Sequence, residues 1–279
     1  MPPLMESFRR VGRSILPNPL FAAASRGYNW FAGVRQLGFG GYSRLRNLAS
    51  DYHPADGTFT ELTIPSLMHP IAVRNGSSDV SELIHTILRR TYEPFTPAPG
   101  RDVRFVIDAG ANIGDTAAWF LTRYPAARVV SLEPDSRNFE VLVRNTSAYG
   151  DRSIRLNFGL WPRSANLRVV ESESRTALSV VEVAEGQPFD CKAVSPTDLL
   201  AQTGSDWIDI FKIDIEGAEQ ELFAAPDADA WLARTGMIMM EIHGPAEWEA
   251  VSTAVARHRF VHHRHREVHI FVNRNGRKS

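Results

Sequence analysis

Four apolar runs in this sequence end in acidic residues. Phe105-Val106-Ile107 leads into Asp108-Ala109-Gly110-Ala111-Asn112-Ile113-Gly114, and Val129 to Leu132 into Glu133-Pro134-Asp135. Ile208 to Ile213 leads into Asp214-Ile215-Glu216, and Met237 to Met240 into Glu241-Ile242-His243. Carboxylates at such points can hold a cationic group, accept hydrogen bonds from paired hydroxyls or take a proton, and the carboxyl ends of parallel strands are where open α/β sheets bind ligands. Glycines in the first loop let the backbone approach a ligand closely and open a helix onto it.

Two cofactor classes use a strand, a glycine loop, a helix and a second strand ending in an acid. A dinucleotide needs Gly-x-Gly-x-x-Gly, but Asn112 stands at the second glycine position and Asp115 at the third, where a carboxylate would border a pyrophosphate. Asp108 at the strand end suits instead the ammonium of a methionine moiety, and the helix start suits its carboxylate. Glu133 at the tip of the next strand can take both hydroxyls of a ribose, with Pro134 and Asp135 completing that turn. Asp108, Gly110, Asn112, Gly114, Glu133, Pro134 and Asp135 are therefore the expected contacts of S-adenosylmethionine. A nicotinamide oxidoreductase on the same fold, and a binding protein without turnover, are the competing readings.

Methyl transfer from a sulfonium is an in-line displacement that needs an oriented acceptor and a route for its proton. Asp214, Glu241 and His243 are the candidate catalytic residues, since spacing of i, i+2 puts Asp214 with Glu216, and Glu241 with His243, on one face of their strands. Asp214 and Glu241 also form a candidate metal pair for magnesium or manganese that would acidify a hydroxyl; a metal-free reaction through Asp214 or His243 is the alternative. Glu216 and Glu219 equally suit the first turn of a following helix, and Lys212 suits a buried ion pair with Asp214. His258, His262, His263, His265 and His269 read as a solvated strand pair rather than a metal site.

The elements that must position these groups follow from period and punctuation. Strand candidates at Val103 to Ile107, Arg128 to Leu132, Ile154 to Phe158, Leu167 to Glu171, Ile208 to Ile215, Met237 to Ile242 and Val268 to Asn273 alternate with helical patterns. The expected fold is α/β, a doubly wound and mostly parallel sheet, with an N-terminal α/β extension. Pro94-Phe95-Thr96-Pro97-Ala98-Pro99-Gly100 reads as a connector. It divides the chain into a basic extension 1–50, a strand and helix region 51–100, and a cofactor-binding domain 101–279. Upstream, Thr58 to Ile64 and Met68 to Arg74 read as strands, and Asp79 with Glu82 as a capping box opening a helix.

The charges nearly cancel, 31 Lys+Arg against 32 Asp+Glu, so no global field argues for nucleic acid. Seven arginines face one acid in residues 1–50, a basic extension that also suits an anionic partner or weak contact with a membrane surface. No apolar run nears the ~20 residues of a membrane span, no secretory signal is evident, and a cytoplasmic location is expected. The single Cys191 excludes an intrachain disulfide and a thiolate zinc site.

Val106 to Gly114, Glu133-Pro134-Asp135 and especially Phe211-Lys212-Ile213-Asp214-Ile215-Glu216-Gly217-Ala218-Glu219 together resemble the FkbM family of S-adenosylmethionine-dependent O-methyltransferases. The resemblance covers about Ile71 to Glu241. It implies methyl transfer to a hydroxyl of a sugar, a glycan or a polyketide-type natural product, and a small-molecule or carbohydrate partner rather than a nucleic acid. Arg74 with Ser78-Asp79-Val80 resembles a segment ahead of the core in one branch of the family, making Arg74, Ser78, Asp79 and Glu216 the candidate acceptor-binding residues. Gly159-Leu160-Trp161 falls where the resemblance implies adenine contacts.

Overall fold

The structure is a computed structural model that describes residues 33–35, 37–43, 45, 48, 57–171, 178–184, 186–215, 217–242 and 244–276. After helical residues at 33–35 and 37–43 comes a hairpin, β1 (Phe59–Leu62) antiparallel to β2 (Ile71–Arg74), followed by α1 (Asp79–Leu83), which runs into a π-helical turn at Ile84–Leu88. The core then alternates: β3 (Phe105–Ala109), α2 (Asp115–Arg123), β4 (Arg128–Leu132), α3 (Ser136–Thr146) and β5 (Ser153–Leu156). After β6 (Phe158–Leu160) come β7 (Ala165–Glu171), β8 (Leu178–Val183), β9 (Cys191–Val194) and α4 (Pro196–Thr203). The chain continues through β10 (Ile210–Ile213), α5 (Glu219–Ala224), α6 (Ala228–Leu232) and β11 (Met237–Glu241), then α7 (Pro245–Ala256), β12 (Phe260–His265) and β13 (Val268–Asn273).

Seven strands form the main sheet in the order β12-β13-β11-β10-β3-β4-β5, parallel except for β13, which runs against both neighbours. Its reversal of order between β3 and β10 is where a doubly wound sheet opens a crevice. The central strands β3, β10 and β11 bury both faces, as parallel strands under helices must, whereas β12 at the edge is largely exposed. Alternation along β3 sends Val106 into one core layer, with Ile113, Phe120 and Tyr124, and Phe105 and Ile107 into the other, with Ile213, Phe223 and Trp231. A smaller sheet, β6-β9-β7-β8, flanks the β5 side of the crevice. The histidine-rich segment is a strand pair, β12 with β13, but only β12 is solvated: β13 is buried, and its His269 stacks on His262.

Residues 57–92 share the first layer. Leu62, Ile71, Val73, Val80, Leu83, Ile87 and Tyr92 pack with Ile113, Phe120 and Leu142. Asn145, buried on α3, accepts from the Ala72 amide at 2.7 Å and donates to the carbonyls of Ala72 (2.9 Å) and Ile113 (2.8 Å), tying β2 to the glycine loop. The capping-box expectation fails. Ser78 holds the N-cap position without a side-chain hydrogen bond, and Asp79 is the first helical residue. Its carboxylate is taken by Arg74, whose backbone amide and guanidinium donate to it at 2.7–2.9 Å, because a charge-assisted forked pair outweighs a cap.

Candidate active site

The site is built at the carboxyl ends of β3, β4 and β10, in a cleft of ≈ 750 Å³. The loop after β3 needs unusual backbone. Gly110 (φ +72°) and Gly114 (φ +82°) are left-handed, and so is Asn112 (φ +46°), which asparagine tolerates better than most residues. The amides of Gly110 and Ala111 donate to the Leu132 carbonyl at 3.0 and 2.9 Å, which pins the loop to β4. On the other side it lies flush against the backbone of Asp214.

Parallel register sets Lys212 of β10 beside Asp108 of β3, so their side chains share a face. Lys212 Nζ lies 3.5 Å from Asp108 Oδ1 and 3.3 Å from Asp214 Oδ2, and donates to the Gly110 carbonyl at 2.6 Å. Burial works to neutralise this ammonium, but Asp214 and Asp108 more than reverse it, and its pKa ends well above the ordinary lysine value. Asp108 is wholly buried, and neither carboxylate oxygen has a hydrogen-bond partner among the described residues. Burial pushes its pKa up to about 7 against the pull of Lys212. Asp115, also buried, is raised by desolvation against a hydrogen bond from Thr86. Beneath the loop and behind the residues that line the cleft, the Asp108 carboxyl has Lys212 as its ion-pair partner and retains lone pairs for a further donor.

Glu133 closes the next wall. Its Oε2 accepts from the Asn112 amide at 2.8 Å and Oε1 from the Asp135 amide at 3.0 Å, so both oxygens are oriented and retain lone pairs for further donors. Burial raises its pKa and those two amides oppose the rise. Asp135 caps α3 through the amides of Arg137 and Asn138. Phe158, Gly159, Leu160, Leu167 and Cys191 give the cleft an apolar part of its lining. Gly159 and Leu160 thus stand where adenine contacts were expected, whereas Trp161 is buried with its indole donating to Glu182 at 3.2 Å. A cationic group, a diol and a flat apolar group would meet matching surfaces in that order.

The opposite wall comes from residues 82–92, which the sequence did not mark: Glu82, His85, Thr86 and Tyr92 line the cleft beside Lys212 and Asp214. The π-helical turn carries His85 and Thr86 to it. Of the expected acceptor-binding residues, Arg74 and Asp79 are occupied with each other, with Arg74 also donating to the Asn138 side chain at 2.7 Å; neither they nor Ser78 lines the cleft. Glu216 and His243 lie outside the described residues. Glu241 does not join Asp214 but lines a separate small pocket with His85 and Glu267, dividing the expected metal pair. Glu219 serves the loop after β10, accepting from the amides of Ile215 (3.3 Å) and Gly217 (2.8 Å).

Methyltransferase 1 of Beauveria bassiana (strain ARSEF 2860) is 24% identical over 161 residues, 48% of this chain and 63% of that protein. Methyltransferase sdnD of Sordaria araneosa is 25% identical over 160 residues, 46% and 62% respectively. The chain thus spans less than two thirds of the length of either relative. Among solved structures, a methyltransferase from Geobacter sulfurreducens aligns over 70% of this chain and 88% of its own, with 15% identity and a TM-score of 0.39. Precorrin-6y C5,15-methyltransferase from Geobacter metallireducens GS-15 aligns over 61% and 79%, with 13% identity and a TM-score of 0.36. Residues 108–277 match the methyltransferase FkbM domain, a span that runs from Asp108 itself through β13 and takes in every acid of the cleft contributed by the main sheet. With more than half of its length so matched, the chain belongs to the FkbM methyltransferase family.

Proposed function

We propose that the protein is an S-adenosylmethionine-dependent O-methyltransferase acting on a hydroxyl of a sugar, a glycan or a polyketide-type natural product. The observation that carries the reading is the charge of the cleft: Glu82, Asp115, Glu133, Asp135, Asp190 and Asp214 line it, against Lys212, Arg137 and His85 as basic groups. Such a surface repels a phosphate backbone and offers acceptors to hydroxyls. The cofactor supplies, when bound, a methyl group on a sulfonium. In this reading Asp108 accepts from its ammonium, Glu133 from its ribose, and the apolar lining at Leu160 and Cys191 receives its base. In the same reading Asp214, one third exposed and held by Lys212, orients the acceptor hydroxyl and receives its proton as the O–CH₃ bond forms and the sulfonium's S–CH₃ bond breaks, leaving a neutral thioether. His243 is the alternative base.

Two results test this. An ammonium partner favours the Asp108 carboxylate, and protonation of that carboxyl, at about 7 in the free protein, competes with binding. Affinity for S-adenosylhomocysteine is therefore expected to rise roughly tenfold from about pH 5.5 to 7 and level off above, with a flat profile in Asp108→Asn. Calorimetric titration across that range reads it out, and a flat wild-type profile would remove Asp108 from the cofactor site. For the acceptor, methyl-labelled cofactor incubated with extracts is expected to mark glycans or small hydroxylated molecules. Label confined to nucleic acid would reject the acceptor class.

A further inference from the structure

We infer that His85, Glu241 and Glu267 form a site for a first-row divalent transition cation such as Zn²⁺ or Mn²⁺. One ligand atom from each lies within 4.8 Å of the other two, and all three side chains are half-buried. They come from separate elements: His85 from the π-helical turn, Glu241 from the end of β11, and Glu267 from the turn joining β12 to β13. His85 Nε2 and Glu267 Oε1 stand 2.7 Å apart. Neighbouring ligands on one ion with bonds of about 2.1 Å are roughly 2.9–3.4 Å apart, so this pair needs to open by only a few tenths of an ångström. One imidazole and two carboxylates are a mixed nitrogen and oxygen donor set, suited to these cations rather than to magnesium or calcium.

A second observation is the backbone that delivers the histidine. A five-residue π-helix is a rare conformation that is concentrated at functional sites, and here it turns His85 toward Glu267 while Thr86 meets Asp115 in the cleft. The pocket around the three groups, ≈ 370 Å³ and lined also by Ser81, Glu82, Ile84 and Arg89, leaves room for further oxygen ligands on the ion. It shares Glu82 and His85 with the methyl-transfer cleft. An ion here would staple the 82–92 wall of the cleft to the far side of the sheet. The site is separate from the Asp214 cluster and stands whatever the methyl acceptor is. Arg89 on the same pocket opposes a cation, so its removal should favour binding.

The test is titration of the untagged full chain with Co²⁺, followed by visible absorption and by thermal melting. One equivalent is expected to bind. At a hundredfold excess over the dissociation constant the melting temperature should rise by about 5 °C. His85→Ala and Glu267→Gln should each weaken binding at least tenfold and lose the shift, and Arg89→Ala should tighten it severalfold. Asp214→Asn and His263→Ala should bind as wild type does. The site is refuted if Co²⁺ fails to bind below millimolar concentration. It is refuted equally if binding survives both His85→Ala and Glu267→Gln, or is lost in His263→Ala, which would move the ion to the histidine-rich strands. A loss of Co²⁺ binding in Asp214→Asn would return it to the β10 end. Because the readouts are spectral and thermal, they are independent of whether a hydroxyl is methylated.

Discussion

Gly110→Ala is expected to eliminate detectable binding of S-adenosylhomocysteine and to destabilise the protein by about 2–5 kcal/mol, the sum of left-handed strain on a residue with a Cβ and of overpacking. The backbone there has φ +72°, and an added Cβ would overlap the Asp214 carbonyl oxygen and lie 2.8 Å from its carbonyl carbon. Neither obstacle is a side chain that can rotate away, so β3 and β10 would have to part at the very point where the cofactor loop begins. Gly114→Ala is the control. It shares the left-handed strain, but its Cβ would meet the Leu142 Cδ1 methyl at 2.6 Å and backbone no nearer than the Leu142 Cα at 3.2 Å, so its cost should be smaller. Urea unfolding and calorimetry on both variants read this out. A Gly110→Ala protein with unchanged stability and affinity would show that the loop is not seated against β10.

Lys212→Met should cost about 3–5 kcal/mol, the range for removing one partner of a buried ion pair. The change leaves Asp108 without its cation and the Gly110 carbonyl without its donor. The double variant Lys212→Met, Asp108→Asn should recover much of the loss, because the stranded charge is gone. The pH dependence has a definite sign. Asp108 is raised from the ordinary carboxylate range to about 7, so the folded state holds a proton that the unfolded state gives up. Stability from this group is complete at acid pH and declines as pH climbs through about 7. Without Lys212 the carboxyl moves higher still, and the decline should extend above neutrality. Unfolding midpoints measured across pH 5 to 9 check both points. If Lys212→Met were as stable as wild type and showed the same profile, the pair would carry no energetic weight.

The local part of this site was written in the sequence. Glycines and strand-end acids have a meaning within about ten residues, and Gly110, Glu133 and Asp135 line the cleft, whereas Asp108 is fully buried behind its lining. Strand and helix alternation likewise placed the parallel sheet, since burial on both faces demands continuous apolar strands. Parity along β10 put Lys212 and Asp214 on one face, but only register with β3 brought Lys212 against Asp108. The strands of the smaller sheet at Leu178–Val183 and Cys191–Val194 were missed, because four to six residues of mixed polarity carry little periodic signal.

What no local pattern contained is the company each strand end keeps. Glu241 resembled Asp214 in sequence, yet the β12–β13 hairpin pairs beside β11 and brings Glu267, while the π-helical turn brings His85, so Glu241 faces a different pocket. Arg74 and Asp79 looked available for a ligand and satisfy each other instead. Glu82 read only as part of a capping box, and with Thr86 and Tyr92 it became a wall of the cleft once Leu83 and Ile87 were buried against the first core layer. The physical reason is common to all three: backbone conformation and helix or strand period are short-range properties of the chain, whereas which charged groups meet depends on long-range packing and strand order, which are decided only when the apolar faces have closed.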